Sequence, residues 1–405
     1  MRSHALTHLR VPDELARNRM RDPYPYYAWL REHSPVHAEV GSGGRTVWQI
    51  SRYEDIQPLL SDARLSKEPG RVPGYVPGPA GLNSHVLHAD GAEHRKLRGL
   101  INSAFTPRRI AGLGDDIRRD AEALLDAVEQ HTEIDLIADF AAPLTFRMIC
   151  RIMGVPGHLS TPAARAVVAA TVLLPSAGIS SAERQRDERG LAEFLRSLIA
   201  HKRVAGAEGE QDLLGALVAA CDEAGTMSEE ELLSTAYLLL LVGHDTTMNL
   251  IGNGMLALLE HPAQKKLLAD SPELVSTAVE EFLRYDCPAR TSTFRTAAET
   301  FELHGHLIRA GDTVCLLLGS AHRDGAAFAD PDRLDITRHP NPHLAFGHGP
   351  HFCVGAALAR LESAIAFPLL LERLGSARLA VPAGELEWKE SRVMRGLARL
   401  PLVRI

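Results

Sequence analysis

One long helical segment constrains the fold of this chain more than any other part of the sequence. Ser228 opens it in a capping box with Glu231, where each side chain can bond the other residue's backbone amide. The helical pattern runs to about His261, which at 1.5 Å per residue is roughly 50 Å, enough to cross a whole domain. Its middle, Ala236 to Val242, is apolar on nearly all sides, so we expect burial throughout. This segment, the central helix, predicts a mainly α-helical core.

Strand signals are few and short. Val36–Val40 and Thr46–Ser51 alternate around a glycine-rich turn, which predicts a hairpin. Further strand-like pieces occur at Phe301–Leu303, at Thr313–Leu318 and near the carboxyl terminus. The prediction is a mainly α protein with a minor β part. It forms one domain over 1–405, because we find no linker tract or internal repeat. The small β-rich lobe would come mainly from about 36–60, 290–320 and 377–405.

Composition narrows the class of partner and compartment. The formal charge of −7 disfavours nucleic acid as the main partner. The five cysteines are scattered without a Cys-x-x-Cys pair, which suits a reducing compartment and no disulfide framework. No apolar run approaches the roughly 20 residues that span a bilayer, so we expect no membrane anchor. The prediction is a cytoplasmic monomer.

The most specific chemical signal is a glycine-punctuated loop that ends in Cys353. Phe346-Gly-His-Gly-Pro-His-Phe-Cys353-Val-Gly355 precedes an apolar-periodic helix, so the cysteine lies at a helix amino terminus. Free amides and the helix dipole stabilise a thiolate there, as a metal ligand or a nucleophile. The glycines allow a flat partner to approach the backbone closely. Two other interpretations stay open, an incidental cysteine in a tight turn and zinc held by His343, His348, His351 and Cys353, although no second cysteine pair supports zinc.

A second signal lies midway along the central helix, in Gly243-His-Asp245-Thr246-Thr247. An aspartate and two threonines inside an apolar helix are costly unless they are paired. A threonine hydroxyl can bond back to the preceding turn and loosen the helix, which leaves room for a small molecule. An acid beside an alcohol is also the minimum equipment for a proton relay. The alternative is a helix kink whose polar groups are satisfied internally.

Two charged pairs are ambiguous from their residues alone. Glu281 and Arg284 are spaced i,i+3, which on most helices indicates a surface ion pair. His94 and Arg98 are spaced i,i+4 and could clamp a carboxylate, or form an ordinary basic helix face.

These four signals occur in an order that resembles the cytochrome P450 superfamily, of the soluble bacterial type. The cysteine-loop pattern Phe-x-x-Gly-x-x-x-Cys-x-Gly is met by Phe346, Gly349, Cys353 and Gly355. The resemblance covers nearly all of the chain, from Asp22 to Pro401. It implies the cytochrome P450 fold, an α-helical haem-binding domain with a small β-rich lobe.

The resemblance also implies roles for the motif residues. Cys353 would be the axial thiolate of haem b, and Asp245 with Thr246 would guide protons to the bound dioxygen. Glu281 and Arg284 would join a buried structural network rather than a surface pair. The haem contacts implied by the resemblance are His94, Arg98, Arg295 and His351 for the propionates, with Phe346 and Gly347 in the cysteine loop.

The implied reaction inserts one atom of O2 into a largely apolar small organic substrate, by hydroxylation or epoxidation in secondary-metabolite tailoring. Electrons would come from NAD(P)H through an external ferredoxin and ferredoxin reductase. The alternatives are related chemistry without net oxygen insertion, such as oxidative coupling or ring closure, and a non-catalytic haem sensor.

By the same resemblance, several segments would form the substrate pocket. Two of them are the Pro/Gly-rich loop Arg71 to His85 and the region Val168–Ile179. The individual pocket residues expected are Leu239, Val242, Gly243, Ala289, Thr291 and Val393.

Overall fold

The computed structural model describes residues 9–41, 44–75, 82–156, 181–206, 212–222 and 225–404. The region 168–179, predicted to border the pocket, lies outside these residues, as does part of the Pro/Gly-rich loop. Within the described ranges, every helix falls short of the length and apolarity that a membrane-spanning helix needs.

Helices make up most of the described chain. The first half contains Asp13–Asn18, Tyr24–His33, Tyr53–Leu59, Gly91–Ala104, Pro107–Ala111, Gly114–Ala127, a π-helical turn at Leu136–Ala141, and Ala142–Ile152. The second half contains Ser181–Ala205, Leu213–Asp222, Glu229–Glu260, Pro262–Asp270, Val275–Tyr285, Leu318–Ala321 and Ala356–Leu374.

The central helix is observed at Glu229–Glu260, with the predicted capping box at its start. The Ser228 hydroxyl accepts a bond of 3.2 Å from the Glu231 amide, and the Ser228 amide donates to the Glu231 carboxylate at 2.6 Å. Its first half packs into one apolar cluster, through Leu232 for example. Its second half packs into another, through Met255 for example. The polar motif predicted from sequence therefore lies at the junction of two cores.

The strands are short and form three small sheets. Their bounds are β1 Val36–Val40, β2 Thr46–Ile50, β3 Leu65–Ser66, β4 Glu133–Asp135, β5 Arg295–Ala297, β6 Phe301–Leu303, β7 His306–Ile308, β8 Thr313–Leu316, β9 Arg378–Leu379 and β10 Pro401–Val403. The largest sheet has the order β1-β2-β8-β5-β3, a second has β4-β10-β9, and β6 pairs with β7. The predicted hairpin is β1 and β2, with Val36 opposite Ile50.

The strands differ from the prediction in two places. The strand predicted to reach Leu318 ends at Leu316, because Leu318 begins a short helix. Strand β4 was not predicted, because three residues are too few to show an alternating pattern.

Gly254 lets two core phenylalanines pack against the central helix. A Cβ at this position would lie 2.5 Å from Cζ of Phe367 and 3.0 Å from Cδ2 of Phe282, and both rings are buried. We expect Gly254→Ala to destabilise the protein by up to about 2 kcal/mol, because an overpacking cost of about 1–3 kcal/mol outweighs the gain of about 1 kcal/mol in helix propensity.

Denaturant unfolding measures this effect, and Gly99→Ala is the matched control. Gly99 is also helical, but a Cβ there meets nothing within 4 Å. The control variant should therefore gain stability from propensity alone. Equal stabilisation in both variants would contradict the packing argument.

Candidate active site

One cavity joins the cysteine loop to the central helix. Its volume is about 120 Å³. Cys353 and Phe346 line one side, and Val242 and Thr246 come from the central helix. The two motifs that the sequence singled out, more than 100 residues apart, therefore share one cavity. The remaining walls are mostly apolar, and include Phe105, Ile149, Leu239, Leu250, Leu283, Ala289 and Leu358.

The cysteine loop is shaped by two glycines with positive φ. Gly347 has φ 75° and Gly349 has φ 74°, a region that favours glycine. Gly349 also packs closely, since a Cβ there would lie 2.0 Å from the Ser61 hydroxyl oxygen. The Cys353 amide donates to the Phe346 carbonyl at 2.9 Å, which closes the loop. The helix that follows begins at Ala356, so the cysteine lies just before it, as predicted.

The electrostatics around Cys353 differ in part from the prediction. Burial raises the pKa of the Cys353 thiol, and this exceeds the opposing influence of the Gly355 and Ala356 amides and of Arg98 and Arg360. The expected helix amides are in place, but in the protein alone they do not outweigh desolvation. The thiol is nevertheless accessible, because it opens into the cavity.

A charged network anchors the same loop to two helices. Arg360 donates to the Glu280 carboxylate at 2.7 and 2.8 Å, and its guanidinium lies 4.5 Å from the centre of the Phe346 ring. His343 lies 2.9 Å from Glu280 through Nε2. Burial opposes ionisation of Glu280, but the bonds from Arg360 and His343 lower its pKa to about 2. His343 is therefore committed to a carboxylate rather than to a metal.

The zinc alternative has no support in the described residues. There, the group of three side chains close enough to share a metal is Cys221, Asp222 and Glu229, far along the chain from the cysteine loop. Arg203 bonds both carboxylates of that group, so it is an ion-pair cluster.

On the central helix, Thr246 faces the cavity and Asp245 does not. The Thr246 hydroxyl donates to the Val242 carbonyl at 3.0 Å, the predicted bond to the preceding turn. Gly243 packs against Ile149, where a Cβ would lie 2.6 Å from Cδ1. Asp245 instead accepts bonds from Lys389 at 2.7 Å and Asn249 at 3.1 Å, two residues that sequence reasoning missed.

A cationic cluster surrounds a second cavity, lined by His94, Arg295 and His351 together with Asp90. Burial lowers the pKa of Arg295 to about 10. Burial, reinforced by His94, Lys67 and Arg295, lowers the pKa of His351 to about 3. The buried Nε2 of His94 has no hydrogen-bond partner among the described residues. Such a group needs an acceptor, so the cluster is suited to an anion.

Arg98 is not among the residues that line this second cavity, although its charge acts on His94 as well as on Cys353. It is half-buried, burial lowers the pKa of its guanidinium, and its electrostatic partner is Cys353. Sequence reasoning missed two ionisable residues beside this cluster, the base Lys67 and the acid Asp90. Burial and Arg295 hold the pKa of Lys67 well below its usual value. Asp90 precedes a helix as a cap residue would, but it accepts bonds from the Ser66 hydroxyl and the Lys67 amide instead.

The Glu281–Arg284 pair is buried, so the surface-pair interpretation from spacing alone is wrong. Arg284 donates to Glu281 at 2.7 and 2.8 Å, and both side chains have no exposed surface. It also donates to the carbonyls of His322, Pro331 and Arg333 at 2.9, 2.6 and 3.0 Å. Glu281 in turn accepts from Arg338, Asn341 and the Asp335 amide, which all lie before the cysteine loop.

Four of the six predicted pocket residues line the cavity, namely Leu239, Val242, Gly243 and Ala289. Thr291 lies in a different cavity beside Tyr26 and Cys315. The chain bends at Arg290 and Thr291, and the Thr291 amide bonds the Val393 carbonyl at 3.4 Å. That bend turns Thr291 away from Ala289. Val393 bonds Thr291 and is not among the residues that line the first cavity.

Comparisons with known proteins agree with this site. A family model described as Cytochrome P450 matches residues 17–377. Cytochrome P450 monooxygenase PikC of Streptomyces venezuelae is 41% identical over 385 residues, covering 94% of this chain and 91% of that protein. Mycinamicin IV hydroxylase/epoxidase of Micromonospora griseorubida is 37% identical over 380 residues, covering 93% of this chain and 94% of that protein.

A solved structure agrees in fold as well. The Bacillus subtilis bacillaene polyketide synthase cytochrome P450 PksS superposes with a TM-score of 0.89 at 35% identity, covering 95% of this chain and 97% of that chain. The predicted mainly α fold with small sheets is therefore confirmed. The chain belongs to the cytochrome P450 family, and it is an oxidoreductase, a haem-iron monooxygenase that uses O2 and an organic substrate.

Proposed function

We propose that this enzyme tailors a largely apolar, polyketide-like small molecule by hydroxylation or epoxidation, in the cavity between Cys353 and Thr246. The observation that carries the proposal is the cavity itself, with a thiol on one side, a hydroxyl on the central helix and mostly apolar walls. In that reaction one oxygen atom of O2 enters the substrate. The other leaves as water, which takes up two electrons from outside and two protons.

The residues present fit a haem. Cys353 would hold the iron, and the loop glycines leave backbone rather than side chains beside it. His94, Arg295 and His351 would hold the propionates, and the unpartnered Nε2 of His94 supports an acceptor at that place. When bound, a haem with a thiolate ligand supplies the O2 chemistry, because the thiolate pushes electron density toward iron and favours O–O cleavage.

The polar residues of the central helix would supply protons. Thr246 is the hydroxyl on the cavity side, and its bond to the Val242 carbonyl fixes its orientation. Asp245 is the adjacent acid, with its carboxylate on the opposite side toward Lys389. An acid behind a positioned alcohol can pass protons inward while solvent is kept out of the apolar cavity. This pair favours a reaction that starts from O2, because cleavage of O2 takes up protons.

The walls favour an apolar substrate without fixed charge. Leu239, Val242, Leu250, Leu283 and Ala289 offer no charged group. Arg290, which follows Ala289, is buried and donates to the Tyr27 hydroxyl and the Arg19 carbonyl. The similarity to polyketide synthase P450 PksS supports a polyketide-like scaffold in this cavity.

We also propose NAD(P)H as the electron source, through a separate ferredoxin and ferredoxin reductase, for a single-domain, cytoplasmic monomer. The exposed arginines Arg95, Arg108 and Arg109 are candidates for docking an acidic ferredoxin.

Replacing Thr246 with alanine tests the proposed chemistry. Candidate polyketides that shift the spin state of the ferric protein are first selected as substrates. With NADPH, a surrogate ferredoxin system and ¹⁸O2, the wild-type enzyme should place one labelled atom in the product. We expect Thr246→Ala to lose coupled product by about a hundredfold, because one positioned proton donor contributes that much. The missing electrons should appear in hydrogen peroxide.

Thr246→Ser, which keeps the hydroxyl, is the control and should remain coupled. Product formed by Thr246→Ala with unchanged coupling and unchanged ¹⁸O content would contradict the relay.

A further inference from the structure

A row of polar side chains follows one side of the central helix. Asp245, Asn249 and Asn253 are spaced by four residues, so they lie above one another on one helix face. All three are buried. All three bond the carboxyl-terminal loop, which we define as Trp388–Leu397 and which is closed by a bridge between those two residues. Asn253 also donates to the Asp286 carbonyl at 3.1 Å. The row is therefore a polar contact between the central helix and this loop.

At the end of the row nearest the cavity, three side chains form a closed set of bonds. Nζ of Lys389 donates to Oδ1 of Asp245 at 2.7 Å and to Oδ1 of Asn249 at 3.1 Å. Nδ2 of Asn249 donates to Oδ2 of Asp245 at 3.1 Å. Both carboxylate oxygens are thus fixed by different donors, so the orientation of Asp245 is determined.

The loop backbone is fitted to this arrangement at Gly396. A Cβ there would lie 2.0 Å from Oδ1 and 2.3 Å from Cγ of Asn249, so only glycine allows the approach. The Lys389 amide donates to the Gly396 carbonyl at 2.9 Å, which holds the lysine in register with Asn249. The contact between the loop and Asn249 therefore depends on Gly396 as well as on Lys389.

Lys389 is also the member of the set nearest to solvent. Its side chain is 14% exposed, whereas that of Asp245 is 8% exposed, and Asn249 has no exposed surface. Thr246, the next residue on the helix, faces the cavity. Lys389 therefore lies on the solvent side of the Asp245 carboxylate, and the residue that follows Asp245 lies on the cavity side of the helix.

We propose that Lys389 is a positioning residue of the proton relay, which holds the Asp245 carboxylate between solvent and Thr246. This inference rests on the relay role proposed above for Asp245 and Thr246. In each cycle a solvent proton first adds to the ionised Asp245 carboxylate beside Lys389 and forms a carboxyl O–H bond. That O–H bond then breaks as the proton passes to the Thr246 hydroxyl oxygen, which releases its own proton toward the cavity. Asp245 is a carboxylate again, so the ion pair returns to its resting charge.

A purely structural role is the competing explanation. A buried ion pair adds little net stability over well-packed apolar residues, because desolvation offsets the attraction. Stability alone therefore gives little reason for a lysine here, whereas a fixed carboxylate at the solvent end of a relay requires one.

Lys389→Met and Lys389→Arg test the proposal in the complete, haem-loaded enzyme. We expect Lys389→Met to lose coupled turnover about tenfold, as for other residues that orient a catalytic group from behind. Peroxide and the solvent isotope effect on turnover should rise, with substrate binding unchanged. Lys389→Arg, which can bond the carboxylate, should recover most of the coupling. The control is Lys266→Met, which removes an exposed ion pair with Asp270 and should behave as wild type.

A second measurement is independent of turnover. Thermal unfolding of Lys389→Met, Asp245→Asn and the double variant gives a double-mutant cycle. The two changes should be non-additive, because each leaves the other group unpaired. Additive changes would overturn the ion pair on which the proposal depends.

The outcomes distinguish a failure of the positioning role of Lys389 from a failure of the Asp245–Thr246 relay. If Asp245→Asn and Thr246→Ala uncouple the enzyme but Lys389→Met keeps wild-type coupling and isotope effect, the lysine is structural and the positioning role is overturned. If Asp245→Asn and Thr246→Ala both remain coupled, the relay itself is overturned and the positioning role with it.

Discussion

Replacing Cys353 with serine should abolish the red-shifted Soret band of the reduced CO complex. The band depends on a thiolate ligand, and Cys353 is the thiol that opens into the cavity opposite the central helix. A serine hydroxyl is a harder, far less acidic ligand and cannot supply the same electron density. Coupled oxidation of substrate should fall below detection. Absorption spectra of the reduced CO complex, with haem content measured in parallel, test this directly.

The matched control is Cys221→Ser. Cys221 lies at the end of the helix Leu213–Asp222, beside Arg203 and away from the cavity walls. This variant should keep the thiolate band and the activity. A Cys353→Ser protein that still showed the band would mean that another cysteine holds the iron.

Replacing Arg284 with alanine should cost about 3–5 kcal/mol of unfolding free energy, because it removes the fully buried partner of the Glu281 carboxylate and leaves only the longer contact with Arg338. Three backbone carbonyls, those of His322, Pro331 and Arg333, lose their donor as well. Arg284→Lys should recover little, since one ammonium cannot reproduce a planar fork that bonds a carboxylate and three carbonyls. Denaturant unfolding and the fraction of protein that retains haem measure the loss.

An exposed ion pair provides the comparison. Lys266 pairs with Asp270 at 2.7 Å on the surface, and Lys266→Ala should cost no more than about 0.5 kcal/mol. If Arg284→Ala were as mild as Lys266→Ala, the network before the cysteine loop would not contribute to stability. Haem retention should follow stability, because the network fixes the segment that leads into the cysteine loop.

Local sequence patterns predicted the elements that depend on near neighbours. The capping box, the bounds of the central helix and the first hairpin were all predicted, because each is decided by residues within a few positions or by one hydrophobic period. The cysteine loop was predicted for the same reason, since its glycines and Cys353 span only a few residues. His94, Arg295 and His351, which line the second cavity, were grouped by the resemblance to a family rather than by a local pattern.

Local sequence patterns did not predict the position of a side chain whose partner is distant in sequence or whose backbone bends. Taken alone, the spacing of Glu281 and Arg284 indicated a surface pair, and only the resemblance to a family corrected it. Thr291 was assigned to the wrong cavity, because the bend at Arg290 is held by contacts with Tyr27 and Arg19. Lys389 carried no local signal at all.

By itself, the sequence determined a mainly α chain around one buried helix, a cysteine at a helix start and an acid–alcohol pair in that helix. These features follow from helical periodicity and from the conformational freedom of glycine, which act over short stretches of chain. Only the tertiary structure decided which charges are buried and where the acid points. Arg284 bonds a carbonyl 38 residues away and Asp245 a lysine 144 residues away. Burial and electrostatic pairing depend on what packs alongside, and that is fixed only when distant segments meet.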